Sequence, residues 1–479
     1  MIRCRGGRAR IIPIALLFAA LALVLPAAAP PANATPLYSA REGRTCDNCH
    51  LSPEGWVNPP LSERKCTMSC TACHVDPAGG GVRNASGRFF GRSTLPMIAT
   101  SPRPTQDWDR DPLHIGRKDR ATTYSDSLPR GPVDRAASRE FQPDDTFGMG
   151  RPARAPSAYS FYQGRYGVLN ADPLFRFGWD LRVATLLSGT VLVFPMQADL
   201  DAVLHPIEHV SAVASIGARG RSRGFAETAD SPGSPYLRTA YVLLSEAPWQ
   251  SYVKAGRIVP SYGLRLDNHT AFIRRGLHLD DAIPESRITG IEVGAAPNYP
   301  FLNASVFRMK AEGVAPDPFD IFDVDDGTGW AINTGYREMG WGGGASALGR
   351  RRPLSEGGNE TAVGAYIYWN PWKAHRSLPL TWQAELDHLS GQRAGGTDVT
   401  GLFFYQEADY LLGNGLNLLA TQEWEDPDRD VKDDEAIRVG AGFQLTAIPG
   451  VTVDTRARVL FPKGGASGAD FFLQFHFWN

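Results

Sequence analysis

Ile437-Arg438-Val439-Gly440-Ala441-Gly442-Phe443-Gln444-Leu445-Thr446, a break at Ile448-Pro449-Gly450, then Val451-Thr452-Val453-Asp454-Thr455-Arg456-Ala457-Arg458-Val459-Leu460: this stretch decides the fold. It alternates with period two on both sides of a Pro-Gly turn. Successive side chains of a strand point to opposite faces of its sheet. Ile437, Val439, Ala441, Phe443 and Leu445 therefore share one face, and Arg438, Gly440, Gly442, Gln444 and Thr446 the other. Past the turn, Val451, Val453, Thr455, Ala457 and Val459 oppose Thr452, Asp454, Arg456 and Arg458. The stretch reads as a hairpin with one greasy face and one charged face.

The same pattern extends outward in both directions. Phe175, Phe177, Trp179, Leu181 and Val183 alternate with Arg176, Gly178, Asp180, Arg182 and Ala184. Such runs predict about 16 strands, near 173–187, 190–203, 207–219, 235–247, 250–260, 286–296, 300–310 and 329–338, then 340–350, 359–370, 377–389, 398–411, 414–425, 435–447, 450–461 and 468–479. Counted from the end, tight turns at 411–414 and 447–450 alternate with long acidic connections at 310–329 and 425–435. Short turns on one side, long loops on the other and an even strand number are the layout of an outer-membrane antiparallel β-barrel. Both termini then fall on the short-turn, periplasmic side. Phe471, Leu473, Phe475 and Phe477 are expected to face lipid, with Gln474 and His476 inward. This end resembles the aromatic-ended last strand of outer-membrane barrels, although Asn479 follows Trp478. A soluble sandwich also alternates. The loop asymmetry and the terminal aromatics favour the barrel.

The first 34 residues have the three parts of an export signal. Arg3, Arg5, Arg8 and Arg10 precede the uncharged run Ile11 to Leu25, and Ala32-Asn33-Ala34 offers a cleavage site. The run is short of the roughly 20 residues that a membrane helix needs. Residues 35–97 hold all the cysteines except Cys4, 98–157 form a Pro- and charge-rich linker, and 158–479 are expected to be the barrel. A net charge of −2 without a basic block excludes nucleic acid as the expected partner. Glycine is abundant, at 50 residues, beside 11 Trp, 15 Tyr and 23 Phe, an unusual pairing for a soluble helical enzyme.

The cysteine segment carries the chemistry. Cys46-Asp47-Asn48-Cys49-His50 and Cys70-Thr71-Ala72-Cys73-His74 each have the form of a covalent c-type haem attachment box. Cys46, Cys49, Cys70 and Cys73 would form thioethers to two haem c groups, and His50 and His74 would ligate the irons from one side. Four cysteines at this spacing also suit a zinc ribbon, and export suits two disulfides. The histidine directly after each pair is needed by neither. Met97 is the candidate distal ligand, in Thr94-Leu95-Pro96-Met97, which resembles the methionine loop of small c-type cytochromes; Met68 and His114 are the other candidates. Cys66 has no assigned role. His205, His209, His269, His278, His375, His388 and His476 form no metal-spaced cluster, and the acidic run from Asp317 to Asp326 lacks EF-hand spacing.

Haem boxes followed by a barrel resemble the outer-membrane cytochrome–porin fusions, in which an N-terminal c-type haem domain lies in or under a barrel. The resemblance implies electron transfer across or at the outer membrane, with no catalysis, a periplasmic electron carrier on one side and an extracellular donor or acceptor on the other. The iron-oxidising members carry one haem box and this chain carries two, so substrate and direction do not carry over. Ala255-Gly256-Arg257-Ile258-Val259-Pro260-Ser261-Tyr262-Gly263-Leu264-Arg265 also resembles a segment of anion-selective porins. The inner arginines Arg438, Arg456 and Arg458 are candidates to steady haem propionates. The alternative is a solute porin with a haem-bearing, or zinc- or disulfide-stapled, N-terminal plug that acts as gate or sensor. A third reading is a soluble dihaem carrier with a β-sandwich.

Overall fold

The computed structural model describes residues 74–79, 81–83 and, with breaks in the connections of which 219–234 is the longest, 174–478. Sixteen strands follow one another: β1 (Phe175–Leu187), β2 (Val191–Ile207), β3 (Val210–Ala218), β4 (Pro235–Ala247), β5 (Ser251–Ile258), β6 (Ile288–Ala295), β7 (Pro300–Met309) and β8 (Gly327–Arg337). The second half comprises β9 (Trp341–Arg351), β10 (Asn359–Trp369), β11 (Leu380–Gln392), β12 (Asp398–Gly413), β13 (Leu416–Asp426), β14 (Ala436–Ile448), β15 (Val451–Pro462) and β16 (Gly468–Trp478). Each pairs antiparallel with its sequence neighbour, and β1 pairs with β16, so the sheet closes. The sandwich is excluded by that last pairing. Expected and observed strands agree in number, and most ends agree within a few residues; β2 runs on to Ile207 instead of ending at 203.

The faces follow the alternation. Phe175, Phe177, Trp179 and Leu181 of β1 are exposed on the outside, while Arg176 and Arg182 are buried within. Phe471 and Phe475 of β16 are exposed outward, and Phe472 is buried on the inner side. An apolar outer band around a polar interior is the inverse of a soluble core and the arrangement of a barrel lying in lipid. At the β14–β15 turn Gly450 has φ +76°, which only glycine adopts at no steric cost. Its position lies against the Trp478 carbonyl, and the Trp478 amide donates to the Gly450 carbonyl at 2.9 Å.

The connections sort by length as the sequence suggests. Those at 207–210, 413–416 and 448–451 are tight and share a rim with the start of β1 and the end of β16. Those at 218–235, 258–288 and 309–327 are long and lie at the other rim. In the last of these, Asp317 accepts the amides of Phe319 and Asp320, and Lys310 pairs with Asp323 at 2.5 Å. The acidic run is thus an ordered rim loop.

The signal, the linker 98–157, Cys46, Cys49, His50, Cys70, Cys73 and Met97 lie outside the described residues. No helix among the described residues is long and apolar enough to cross a membrane, which says nothing against crossing by strands.

Val363 lies midway along β10 and is 47 % exposed on the outer face. Val363→Arg is expected to destabilise the barrel by about 2–4 kcal/mol in lipid vesicles, the cost of a cation near the bilayer midplane. Denaturant unfolding of the reconstituted protein measures it.

Candidate functional site in the barrel lumen

Two segments enter the lumen, one from each end. From the long-loop end, the chain leaves β5, passes Pro260 to Leu266 and forms α1 (Phe272–Gly276) before returning to β6. This segment interrupts the period-two pattern, and its apolar groups Tyr262, Ala271, Ile273 and Leu277 are all buried. It is held against β8–β15 largely through its own backbone. The Leu264 amide donates to Glu385 Oε2 at 3.0 Å, the Phe272 amide to Glu423 Oε2 at 2.8 Å, and the Gly263 amide to Ser346 Oγ at 2.8 Å. In return Arg350 donates to the Leu277 carbonyl at 2.7 Å. The Tyr262 hydroxyl donates to Asp387 Oδ1 at 2.9 Å, and burial, reinforced by Asp387, raises its pKa well above the usual phenol range.

Gly263 sets the approach. Its φ is +54°, and a Cβ there would fall 1.6 Å from Glu385 Oε1. Only glycine lets the loop backbone come down onto that carboxylate.

From the short-turn end comes a hairpin made of residues 74–83. His74 and Arg83 are bridged antiparallel, and the Val75 amide donates to the Val82 carbonyl at 3.0 Å. Asp76 shapes the turn by accepting the Ala78 amide on Oδ1 at 2.9 Å. Gly79 and Gly81 take positive φ, +86° and +59°. Val75 and Val82 are buried in one cluster with Val203, Val213, Tyr241 and Leu243, all on the inner wall. Each fully buried valine contributes about 1.5–3 kcal/mol. At the rim, Arg176 of β1 donates to the Arg83 carbonyl at 3.1 Å, and the Arg83 guanidinium lies 3.9 Å from the Trp478 ring centroid.

Deeper in, Lys254 of β5, 1 % exposed, bridges Asp76 Oδ2 at 3.2 Å and Glu292 Oε1 of β6 at 2.9 Å. The hydroxyl of Tyr241 donates to the same oxygen of Asp76 at 3.3 Å. Burial alone would raise the Asp76 carboxyl pKa. Lys254 first, and Arg265 second, outweigh it and hold the group below its ordinary 3.8. Arg265, from the β5–β6 segment, also donates to the Gly79 carbonyl at 2.5 Å. The two lumenal segments therefore touch.

A narrow cleft lies between Asn268–Thr270 and the wall of β12, β14, β15 and β16. Its wall is charged and internally paired. Arg456 meets Glu407 at 3.0 Å and Asp454 at 3.1 Å, Arg458 meets Asp470 at 2.7 Å, and His476 meets Asp180 at 2.9 Å. Arg438 lies beside this group and pairs with Glu423 at 2.7 Å. The three arginines expected inside the barrel are inside it, and their charge is matched by carboxylates of the wall.

Of the expected haem residues, the structure places His74, half-buried at the short-turn rim. Among the described residues no three His, Cys, Asp or Glu side chains gather as a metal centre. Sequence reasoning missed Asp76, Lys254, Glu292 and the lumenal course of the β5–β6 connection as far as Leu279. The signal for the last was the long aperiodic interval between two strands, with apolar residues that match neither face.

No protein-family model matches the chain, and no curated protein sequence is similar to it. Its fold is a closed sixteen-stranded antiparallel barrel. Among solved structures it is similar to a loop-deletion mutant of OmpT, an outer membrane protein of Vibrio cholerae, with 9 % identity and TM-score 0.48 over 64 % of this chain and 99 % of that one. An anion-selective porin from Comamonas acidovorans gives 11 % identity and TM-score 0.44 over 64 % and 99 %. Pseudomonas putida OprB gives 10 % and 0.47 over 66 % and 98 %. These are distant likenesses of the barrel, and neither solute nor selectivity transfers from them.

Gly263→Ala is expected to lift the lumenal loop off Glu385, because strain at positive φ adds to the overlap. A thermal unfolding midpoint lowered by several degrees would register it, with a larger single-channel conductance wherever the barrel still folds.

Proposed function

We propose that the chain is an outer-membrane barrel whose lumen is plugged from the periplasmic mouth by a haem-bearing N-terminal segment, and that it moves electrons at or across that membrane. The observation that carries the reading is the docked hairpin. It begins at His74, the last residue of the second Cys-x-x-Cys-His box, and so ties that box to the lumen mouth. Haem c, when bound, supplies one-electron redox chemistry. Cys70 and Cys73 would anchor it, and His74, half-buried at the rim, would hold the iron from one side. Arg83 and Arg176 stand at the same rim, where guanidinium groups suit propionate carboxylates. The donor set and its place fit the group. Cys46, Cys49 and His50 would serve a second haem, with Met97 as the proposed distal ligand. A periplasmic carrier and an extracellular donor or acceptor are the partners this reading requires.

The outer-membrane assignment rests on the closed sheet and its apolar outer band. Inside a hydrocarbon layer only helices and closed barrels satisfy their backbone polar groups.

A second reading, a solute porin with the N-terminal segment as gate, is favoured by the charged cleft beside Asn268–Thr270. A hydrated, ion-lined passage is what a small hydrophilic solute needs. Planar-bilayer recording separates the two. A large steady conductance from the intact protein supports the porin, and a closed barrel that still reduces an outside acceptor supports the conduit.

For haem, the expected result is two covalent groups per chain by pyridine haemochrome on detergent-extracted outer membranes. In Cys70→Ser/Cys73→Ser the content should fall to one per chain, with the barrel still folded by heat-modifiable gel migration. No covalent haem in the wild type would sink the conduit reading.

A further inference from the structure

The Val75–Val82 hairpin is not merely packed in the lumen. Val75 and Val82, Asp76 and Arg83 fasten it to the wall, and it touches the other lumenal segment. We infer that it is an autoinhibitory latch: docked, it closes the short-turn mouth and steadies the β5–β6 loop, and undocked, it opens a hydrophilic passage through the barrel. The inference deepens the plug reading above and rests on the barrel spanning a membrane. It does not depend on haem attachment.

The first support is the charge arrangement. A buried cation left alone would make undocking prohibitive. Lys254 is not left alone, because Glu292 stays 2.9 Å away on the wall with Tyr252 donating to the same carboxylate oxygen at 2.8 Å. The wall is therefore charge-paired in both states, with the hairpin in or out. Asp76 adds a second carboxylate to a cation that already has one. Such a contact stabilises docking without making it irreversible.

The second support is mechanical. Arg265 reaches from the β5–β6 segment to the Gly79 carbonyl at the hairpin's turn. Removing the hairpin removes that anchor from the loop that narrows the lumen. Both ends of the hairpin lie at the same rim, since His74 and Arg83 are bridged and Arg83 stacks on Trp478.

The test is the full-length protein in planar bilayers, wild type against Asp76→Asn, with trypsin cleavage after Arg83 followed by mass spectrometry on the same detergent-solubilised samples. Heat-modifiable migration confirms that each barrel is folded. The expected result is a rise of at least tenfold in mean conductance and in the rate of cleavage after Arg83. A folded variant that conducts as the wild type does, or in which only one readout changes, overturns the latch. Should Asp76→Asn fail to fold, Val75→Ser/Val82→Ser decides instead, since it loosens the apolar seat of the hairpin and leaves the barrel wall unchanged. Conductance and cleavage after Arg83 must then both rise, and a folded variant that behaves as the wild type does overturns the proposal. Haem content is measured separately, so failure of the electron-transfer reading and failure of the latch give different results.

Discussion

Backbone hydrogen bonding between the first strand and the last is the constraint on which the rest depends. Val183 of β1 faces Phe475 of β16, and the ladder continues from Asp180–Trp478 to Leu187–Phe471. Closure leaves no sheet edge, so every strand is paired on both sides. It also gives the chain two unlike surfaces. One side of every strand must suit lipid, and whatever charge the sequence carries along the strands must go inside. The pairing of Arg182 with Asp180, two residues apart on the inner face of β1, is one consequence of that sorting.

Charges gathered in a lumen need partners, and the barrel supplies them in two ways. Some are matched across neighbouring strands: Glu423 of β13 and Arg438 of β14 are register partners and form an ion pair. Others are matched by a segment laid over them. The β5–β6 loop presents backbone amides to Glu385 and Glu423 and backbone carbonyls to Arg350. Breaking a buried pair by removing one partner is costly, because the remaining charge stays desolvated. The loop is therefore held where the wall is most charged, and the space left open lies to one side, against β14–β16.

The barrel was legible because its determinants are local and repetitive. Period two puts Ile437 and Arg438 on opposite faces whatever the neighbours are, and Pro449-Gly450 fixes the turn between β14 and β15. The alternation of Phe471, Leu473, Phe475 and Phe477 with Gln474 and His476 was readable for the same reason. The lumen was not. Residues 259–287 read as a long connection, because nothing periodic marks Tyr262, Leu264 or Ile273 as groups that will pack onto strands far along the chain. Nothing in the sequence singles out Lys254. Its role depends on Asp76, 178 residues earlier, and such a contact leaves no trace in spacing. The same holds for Gly263, whose positive φ is imposed by a carboxylate on β11.

An electron conduit and a solute pore make opposite demands on one lumen, and the hairpin is where they meet. A pore needs continuous water from rim to rim. A conduit needs its redox groups held at fixed places while water and ions are kept from short-circuiting the membrane. The hydrocarbon layer to be crossed is about 30 Å thick, and His74 stands at one rim only. A group bound there serves the near side, so a complete electron path asks for a second group further along the lumen or beyond it. The cleft lies between the loop at Asn268–Thr270 and the wall of β12, β14, β15 and β16, and the charges that line it are paired with one another. On the latch proposed above, the choice between the two uses falls to whether Val75 and Val82 stay seated among Val203, Val213, Tyr241 and Leu243, while the sixteen strands are common to both outcomes.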